Sequence, residues 1–434
     1  MKKKVLILGR SFENGSAGIT MRTLFSNWDK ESLFCASIGR ESLGVYFNSF
    51  YRFGGNEFQS TFPFSLLYKV KTESKIIDAT NLHLYMNKED ISPRSMRKNI
   101  YEKYLNPLLK FFKIYQSRHK YIVSAELKKW IEEIQPDVIY MVIGSLIDCK
   151  LLNDVLDFYP NVRSVVHFYD DWQIDAPKNS ICPFLYRRKL NIELNRIFSR
   201  VNVSMAISEA MVVEYEKRYG RKFCFFHNPV DIGRFSIVEK LNLKKDVKTI
   251  VYLGRVDKDN FDVINDVIDV VDKLNSDGVK LKFDIYTNYN TQKSFLEMNL
   301  HKSSNLRVLP YVDHNKIAEV LINYSDILLL PNSFKEKSNI YTKYSISTKL
   351  MEYLASKKPV LVYAPNDIAI TQFCEKHKCA VILDKKDKQS LFNLIKSLAL
   401  DKEKYSDVIL NGYFIAQQYD RKRICEQFDI YIKG

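Results

Sequence analysis

YSISTKLMEYLASKKPVLVYAP, from Tyr344 to Pro365, decides the fold. An apolar helical segment, 349–356, runs straight into a strand at 360–363. Ser347 and Thr348 are residue types that cap helix N-termini. Lys349 follows them, a cation in the first turn, where the helix dipole disfavours positive charge by roughly 0.3–1 kcal/mol. An anion held between the lysine and the helix end removes this conflict. Free amides and the dipole make such ends phosphate sites. Ser345, Ser347 and Thr348 add hydroxyl donors, and lysine binds phosphate as a point charge. Glu352 follows one turn later, where a carboxylate can accept hydrogen bonds from a ribose diol. A surface pair of Lys349 with Glu352, worth about 0.2–0.5 kcal/mol, accounts for those two residues but not for the hydroxyls before them.

Outward from this stretch, short apolar runs alternate with longer amphipathic ones, which predicts an α/β fold with parallel sheets. Strands are expected at 4–9, 33–38, 137–143, 163–168, 201–207 and 222–226, with helices such as 19–28 and 124–134 between them. The pattern restarts near Lys248, with strands at 249–254, 281–286, 307–309, 327–330, 360–363 and 380–383. Helices there are expected at 262–274, 315–323, 349–356, 368–376 and 387–398. The expectation is two tandem Rossmann-like, doubly wound domains facing across a cleft, 1–227 and 228–415. A polar linker spans 228–246, and a helix at 416–434 packs back on the first domain. Ligands belong at the carboxyl ends of the strands.

The chain has 434 residues, too long for one ordinary core. Lys and Arg number 66 against 51 Asp and Glu, a balance that suits phosphorylated ligands, anionic lipid or nucleic acid. No nucleic-acid recognition motif is present, so that class is set aside. Seven scattered cysteines fit reduced thiols in the cytoplasm rather than a disulfide framework. Cys374, His377 and Cys379 lack a second ligand pair at zinc spacing, and no metal site is expected. No apolar run approaches the roughly 20 residues of a membrane span, and none makes a signal peptide. Two stretches resist the pattern. Residues 45–65 are rich in aromatics, Gly and Ser. Residues 94–120 are basic with interleaved aromatics, either an ordinary helix pair or a surface for peripheral contact with an anionic membrane.

A second cluster supports the nucleotide reading. Val251–Lys258 is a strand ending in Gly254-Arg255. Glycine permits close backbone approach, and Arg255 leaves the carboxyl end toward the same cleft. Arg255 and Lys349, from separate elements, then hold a diphosphate. After the first strand, Gly15 and Gly18 lie in a glycine-rich turn opening the first helix. His167 ends the strand 163–168, before Asp170 and Asp171. There the histidine is a candidate to bond a ligand hydroxyl, and the carboxylates to orient it.

Several pieces, in order, resemble the GT-B glycosyltransferases of the family 4, or group 1, type: Ala206–Met211, Phe226–Asp231, Tyr252–Arg255, Leu309–Val312, Ser325–Pro331 and the helix Ser347–Ala355 followed by Lys358-Pro359-Val360. Together they span roughly 201–432. The resemblance implies a nucleotide-diphosphate sugar as donor substrate, no cofactor, metal-independent transfer and retention at the anomeric carbon. Arg255 and Lys349 would hold the diphosphate and Glu352 the ribose. The backbone near Tyr311 and Val312 would hold the base. His167 would be the cleft histidine. Three positions depart from the pattern. Tyr344 stands where a sugar-facing Glu is common. Asn260 stands where a second phosphate-binding Lys is common, with Lys258 nearby. Tyr286-Thr287 lacks a glycine.

The expected function is glycosyl transfer to a glycan or lipid-linked acceptor in bacterial surface polysaccharide synthesis, in the cytoplasm at the inner face of the plasma membrane. Rival readings on the same fold are a non-catalytic glycan-assembly scaffold and a sugar-nucleotide epimerase or hydrolase.

Overall fold

The computed structural model describes residues 3–12, 16–38, 46–61, 65, 72–78, 106–113, 119–239, 241 and 246–434. It divides into two compact units, Met1–Phe226 with Cys425–Gly434, and His227–Ile424.

In the first unit the strands are β1 (Val5–Gly9), β2 (Leu33–Ser37), β3 (Ser49–Arg52), β4 (Phe58–Ser60), β5 (Lys75–Asp78), β6 (His119–Tyr121), β7 (Val138–Val142), β8 (Arg163–Phe168), β9 (Val203–Ala206) and β10 (Cys224–Phe225). Eight of them form one sheet in the order β10-β9-β8-β7-β1-β2-β3-β5. The central strands are apolar along their whole length because both faces are covered by helices. These include α1 (Ser16–Leu24), α2 (Ala125–Ile134), α3 (Leu146–Phe158), α4 (Pro183–Arg200) and α5 (Glu209–Tyr219).

The stretch 45–65 supplies strands that its composition did not announce. β3 runs parallel to β2, and β5 closes the edge antiparallel to β3. β4 and β6 form a separate antiparallel pair. So the sheet is mostly, not wholly, parallel. The organiser of this region is Glu57, fully buried. It accepts hydrogen bonds from the Tyr51 hydroxyl at 2.9 Å, the Gly54 amide at 3.1 Å, and the hydroxyls of Ser74 and Ser124. Its partners are spread from Tyr51 to Ser124, so no local periodicity carries the signal. The basic stretch 94–120 lies mostly outside the described residues; a short helix, Asn106–Phe111, is within them.

The second unit holds β11 (Lys248–Leu253), β12 (Leu281–Thr287), β13 (Leu306–Pro310), β14 (Ile327–Pro331), β15 (Val360–Tyr363) and β16 (Val381–Leu383). All pair in parallel, in the order β13-β12-β11-β14-β15-β16. The strand order reverses between β11 and β14. In doubly wound sheets, ligands bind at the carboxyl ends beside that switch. Three helices matter for the site: α6 (Ile232–Ser236), α7 (Phe261–Ser276) and α8 (Leu350–Ala355). The stretch 228–246 is therefore not simply a linker. It contains α6, and the Val230 amide and carbonyl bond to Tyr419 and Arg421.

The end of the chain is two helices rather than one, α9 (Ser406–Gln418) and α10 (Arg421–Lys433). Cys425–Gly434 belongs to the first unit. There the Phe428 ring lies 5.0 Å from Phe25, the Trp28 indole donates to Asp429 at 2.6 Å, and Arg163 donates to the carbonyls of Tyr431 and Ile432. Among the described residues no helix is long and apolar enough to cross a membrane.

Candidate functional site

The site is built at the carboxyl end of β11. The Tyr252 ring folds back over Gly254, so a Cβ there would lie 2.4 Å from the tyrosine hydroxyl and would force the ring out of its position. The Tyr252 hydroxyl donates to the Arg255 carbonyl at 2.9 Å. The Asn260 amide donates to the same carbonyl at 2.9 Å and to the Tyr252 oxygen at 3.2 Å. Asn260, at the position of the common second lysine, thus fixes the Gly254-Arg255 turn instead of offering a charge. The Arg255 side chain is 75% exposed and paired with Asp257 at 2.6 Å. Lys258 is exposed on the same turn.

Helix α8 is pinned to this strand end. The buried Tyr353 hydroxyl accepts the Leu253 amide at 2.8 Å. The helix begins one residue later than the hydroxyl pattern suggests. Lys349 itself is the N-cap, with no side-chain cap bond. The Ser347 carbonyl accepts the Leu350 amide at 3.0 Å, while its hydroxyl is 3.4 Å from the Lys349 amide. Ser345, Ser347 and Thr348 are half-buried in the loop leading in, with Tyr344 just before them.

Pinning α8 brings Lys349 over Tyr252, its Nζ 5.9 Å from the ring centroid. Burial presses its ammonium below the ordinary lysine value; Glu352 opposes that and Arg255 adds to it. The two cations therefore feel each other, although they come from different elements. Glu352 answers in the opposite sense. Burial pushes its carboxyl up to about 7, with Arg234 and Lys349 holding it back. The Nδ1 of His314 lies 3.6 Å from the Glu352 carboxylate, and Arg234 on α6 donates to the His314 carbonyl. Tyr311, after β13, has its phenol raised by burial and by the charges of Glu352 and Asp313, so it belongs to the same cluster. Two like charges and a destabilised carboxylate gathered at a switch point form an arrangement that a bound polyanion with hydroxyls would relieve.

Residues 234–413, a little under half of the chain, match the family model of glycosyl transferases group 1. By this match the segment resembles a group 1 glycosyltransferase domain. It contains the whole charged cluster from Arg234 to Glu352. Among solved structures, HepE of Anabaena in complex with UDP-glucose is 13% identical with a TM-score of 0.60, each chain covered over 100%. Sucrose-phosphate synthase of Thermosynechococcus elongatus is 12% identical with a TM-score of 0.61, covering 99% of this chain and 98% of that one. WaaG, a glycosyltransferase involved in lipopolysaccharide biosynthesis, is 11% identical with a TM-score of 0.57, covering 99% and 100%. Agreement over the full length at such low identity shows a shared fold, the two-domain GT-B fold. No curated protein sequence matches the chain.

In the matched segment, then, the structure brings together Arg255, Lys349, Glu352 and Tyr311, with Val312 half-buried beside the last. Arg234 and His314 join them although no sequence signal marked either. A lone arginine in a supposed linker and a lone histidine after a strand have no local pattern, and only the fold makes them neighbours. Behind the loop 344–348, buried His227 is held neutral, its pKa lowered to about 4 by burial, and the Asn228 amide reaches the Thr348 carbonyl at 3.4 Å. Among the described residues no group of three or more His, Cys, Asp or Glu is placed to hold a metal ion.

The first unit corrects the remaining candidates. Gly15 lies outside the described residues. Gly18 is not in a turn; it is buried in the first turn of α1. His167 has no exposed surface. Its Nδ1 lies 2.8 Å from the Tyr140 hydroxyl, and burial lowers its pKa to about 3. It is a neutral core histidine in this conformation, since β8 ends under Tyr169 rather than in the open. Asp171 is also fully buried. Its carboxylate takes Arg218 at 2.7 and 2.9 Å and the Tyr215 hydroxyl at 3.1 Å, which leaves it no acceptor to orient. Removing that charge leaves the partly buried Arg218 with Glu214, at 2.9 Å, as its remaining carboxylate. Asp171→Asn is expected to lower unfolding free energy by about 2 kcal/mol in urea titrations. An unchanged midpoint would show the pair to be energetically idle.

Proposed function

We propose that the chain transfers a sugar from a nucleotide-diphosphate sugar to a glycan or lipid-linked acceptor, by metal-independent, retaining chemistry, in bacterial surface polysaccharide synthesis. The observation that carries this reading is Lys349, whose ammonium lies over Tyr252 at the head of α8, within electrostatic reach of both Arg255 and Glu352. Lys349 and Arg255 take the diphosphate, and Glu352 takes the ribose diol. The backbone after β13 takes the base. Lys258 is placed to add charge from the turn that carries Arg255. As the sugar–oxygen bond breaks, negative charge grows on the leaving diphosphate. Cations already in place stabilise that change without reorganising. Retention has the acceptor hydroxyl enter from the face the diphosphate leaves. The acceptor is assigned to the first unit, where the charge of Arg10 acts on both Asp148 and Tyr169 near the carboxyl ends of β1, β7 and β8. The family match in the second unit supports the reaction class. WaaG, which shares the fold, is involved in lipopolysaccharide biosynthesis, and the proposed role in surface glycans follows that lead.

The test is isothermal titration with UDP and with GDP, followed by incubation of labelled UDP- and GDP-sugars with glycan and lipid-linked acceptors. Saturable binding of one nucleotide and transfer of its sugar are expected. Donor hydrolysis or epimerisation without transfer would assign the rival enzymatic reading, and no nucleotide binding would assign the scaffold.

A further inference from the structure

A cavity lies in the same unit, at the opposite end of its sheet. It opens at the amino ends of the strands with a volume of about 600 Å³, which suits a small molecule. Its lining includes four lysines, Lys248, Lys357, Lys358 and Lys402, against one carboxylate, Asp326. Lys248 is the first residue of β11, and Asp326 directly precedes β14. The donor cluster sits past the other end of β11. Part of the single negative charge is already committed, because Asp326 accepts the Thr249 amide at 2.9 Å and lies 3.8 Å from Lys248. The Lys357 ammonium stands 4.0 Å from the centroid of the Tyr413 ring, which also lines the cavity. The remaining wall is largely apolar, with Phe235 and Ile322.

A cavity with a basic side, an aromatic ring and an apolar wall matches a particular ligand chemistry. We infer that it binds a phosphate or diphosphate ester of an apolar group, separately from the donor. Lys358 already donates to the Ser325 carbonyl at 2.7 Å, so Lys248 and Lys357 are the cations offered to the ligand, and the apolar wall adds burial that inorganic phosphate cannot use. The backbone offers a clean way to test Lys357. It follows α8 with φ +57°, a left-handed conformation that glycine adopts without strain and that is usual at this place after a helix. Lys357→Gly therefore relieves the backbone while deleting the charge. A lysine with a merely structural role gives the variant a higher melting midpoint and nothing else.

The experiment is calorimetric titration with inorganic pyrophosphate and with isopentenyl diphosphate, in the full chain carrying Lys349→Ala so that the donor cluster is weakened. Saturable binding is expected, tighter for the ester. Adding Lys357→Gly should weaken it about tenfold, the loss of one charge-assisted contact, while raising the melting midpoint. Lys248→Ala, on a different strand, should weaken it comparably. If neither diphosphate saturates, or if both lysine variants bind as before, the inference is wrong. Because the titration is made in the Lys349→Ala background, either outcome leaves the donor-site reading to its own test with UDP and GDP.

Discussion

Lys349→Ala is expected to weaken nucleotide-diphosphate binding roughly 100-fold, about 2.7 kcal/mol, in calorimetric titrations. The reason lies in where the ammonium sits. Burial already presses its pKa down, and the nearby Arg255 presses further. A diphosphate oxygen restores the charged form and is held by it, so both partners gain. The effect on turnover should be larger, roughly 10³-fold in kcat, because charge on the leaving diphosphate is greatest in the transition state. Lys349→Arg keeps the charge but not the compact shape and should recover part of the affinity. Equal loss of affinity and no further loss of rate would place Lys349 in ground-state binding alone. An unchanged affinity would remove it from the site.

The second large effect concerns Glu352 and runs against ordinary expectation for a functional residue. Its side chain is only 14% exposed, and burial raises its carboxyl from 4.5 to about 7. Below pH 4.5 the group is neutral in both folded and unfolded chains and carries no penalty. As pH rises through about 7 the folded chain must either keep the proton or hold a desolvated charge. The stability associated with the neutral form is then lost. The 2.5-unit difference corresponds to about 3 kcal/mol at pH 8. Glu352→Gln should accordingly raise unfolding free energy by up to about 3 kcal/mol at pH 8 and leave it nearly unchanged at pH 4. The same variant should bind nucleotide roughly tenfold more weakly, having lost the carboxylate that accepts from the ribose. Stabilisation with loss of binding marks a residue kept for its task. Destabilisation at pH 8 would show that the carboxylate holds the local structure together.

Both residues were legible in the sequence because they interrupt a pattern. A lysine at the head of an apolar helix is unfavourable without an anion, and Glu352 follows it at one turn. The strands β8 and β15 were readable to the residue, since buried parallel strands are apolar without a break. β3 to β6 were not. Their placement depends on Glu57 gathering partners across some seventy residues of chain. Sequence also cannot say how deep a strand end lies. His167 stands near the end of a strand and Asp171 just past it, as site residues do, yet Tyr140 and Arg218 take them into the core. Asn260 shows the converse. Its departure from the family pattern looked like a lost charge, and the structure gives it work in the backbone turn beneath Arg255. Arg234 and His314 are invisible until α6 and the end of β13 are folded beside Glu352.

The central claim is that one diphosphate lies between Lys349 and Arg255 with its ribose on Glu352. A crystal structure of the protein soaked with UDP, and with GDP if UDP does not bind, tests it directly. The account predicts diphosphate oxygens within about 3 Å of the Lys349 ammonium and the Arg255 guanidinium, and a ribose hydroxyl on the Glu352 carboxylate. A nucleotide seated elsewhere, with Arg255 still on Asp257 and Lys349 still against Tyr252, would contradict it.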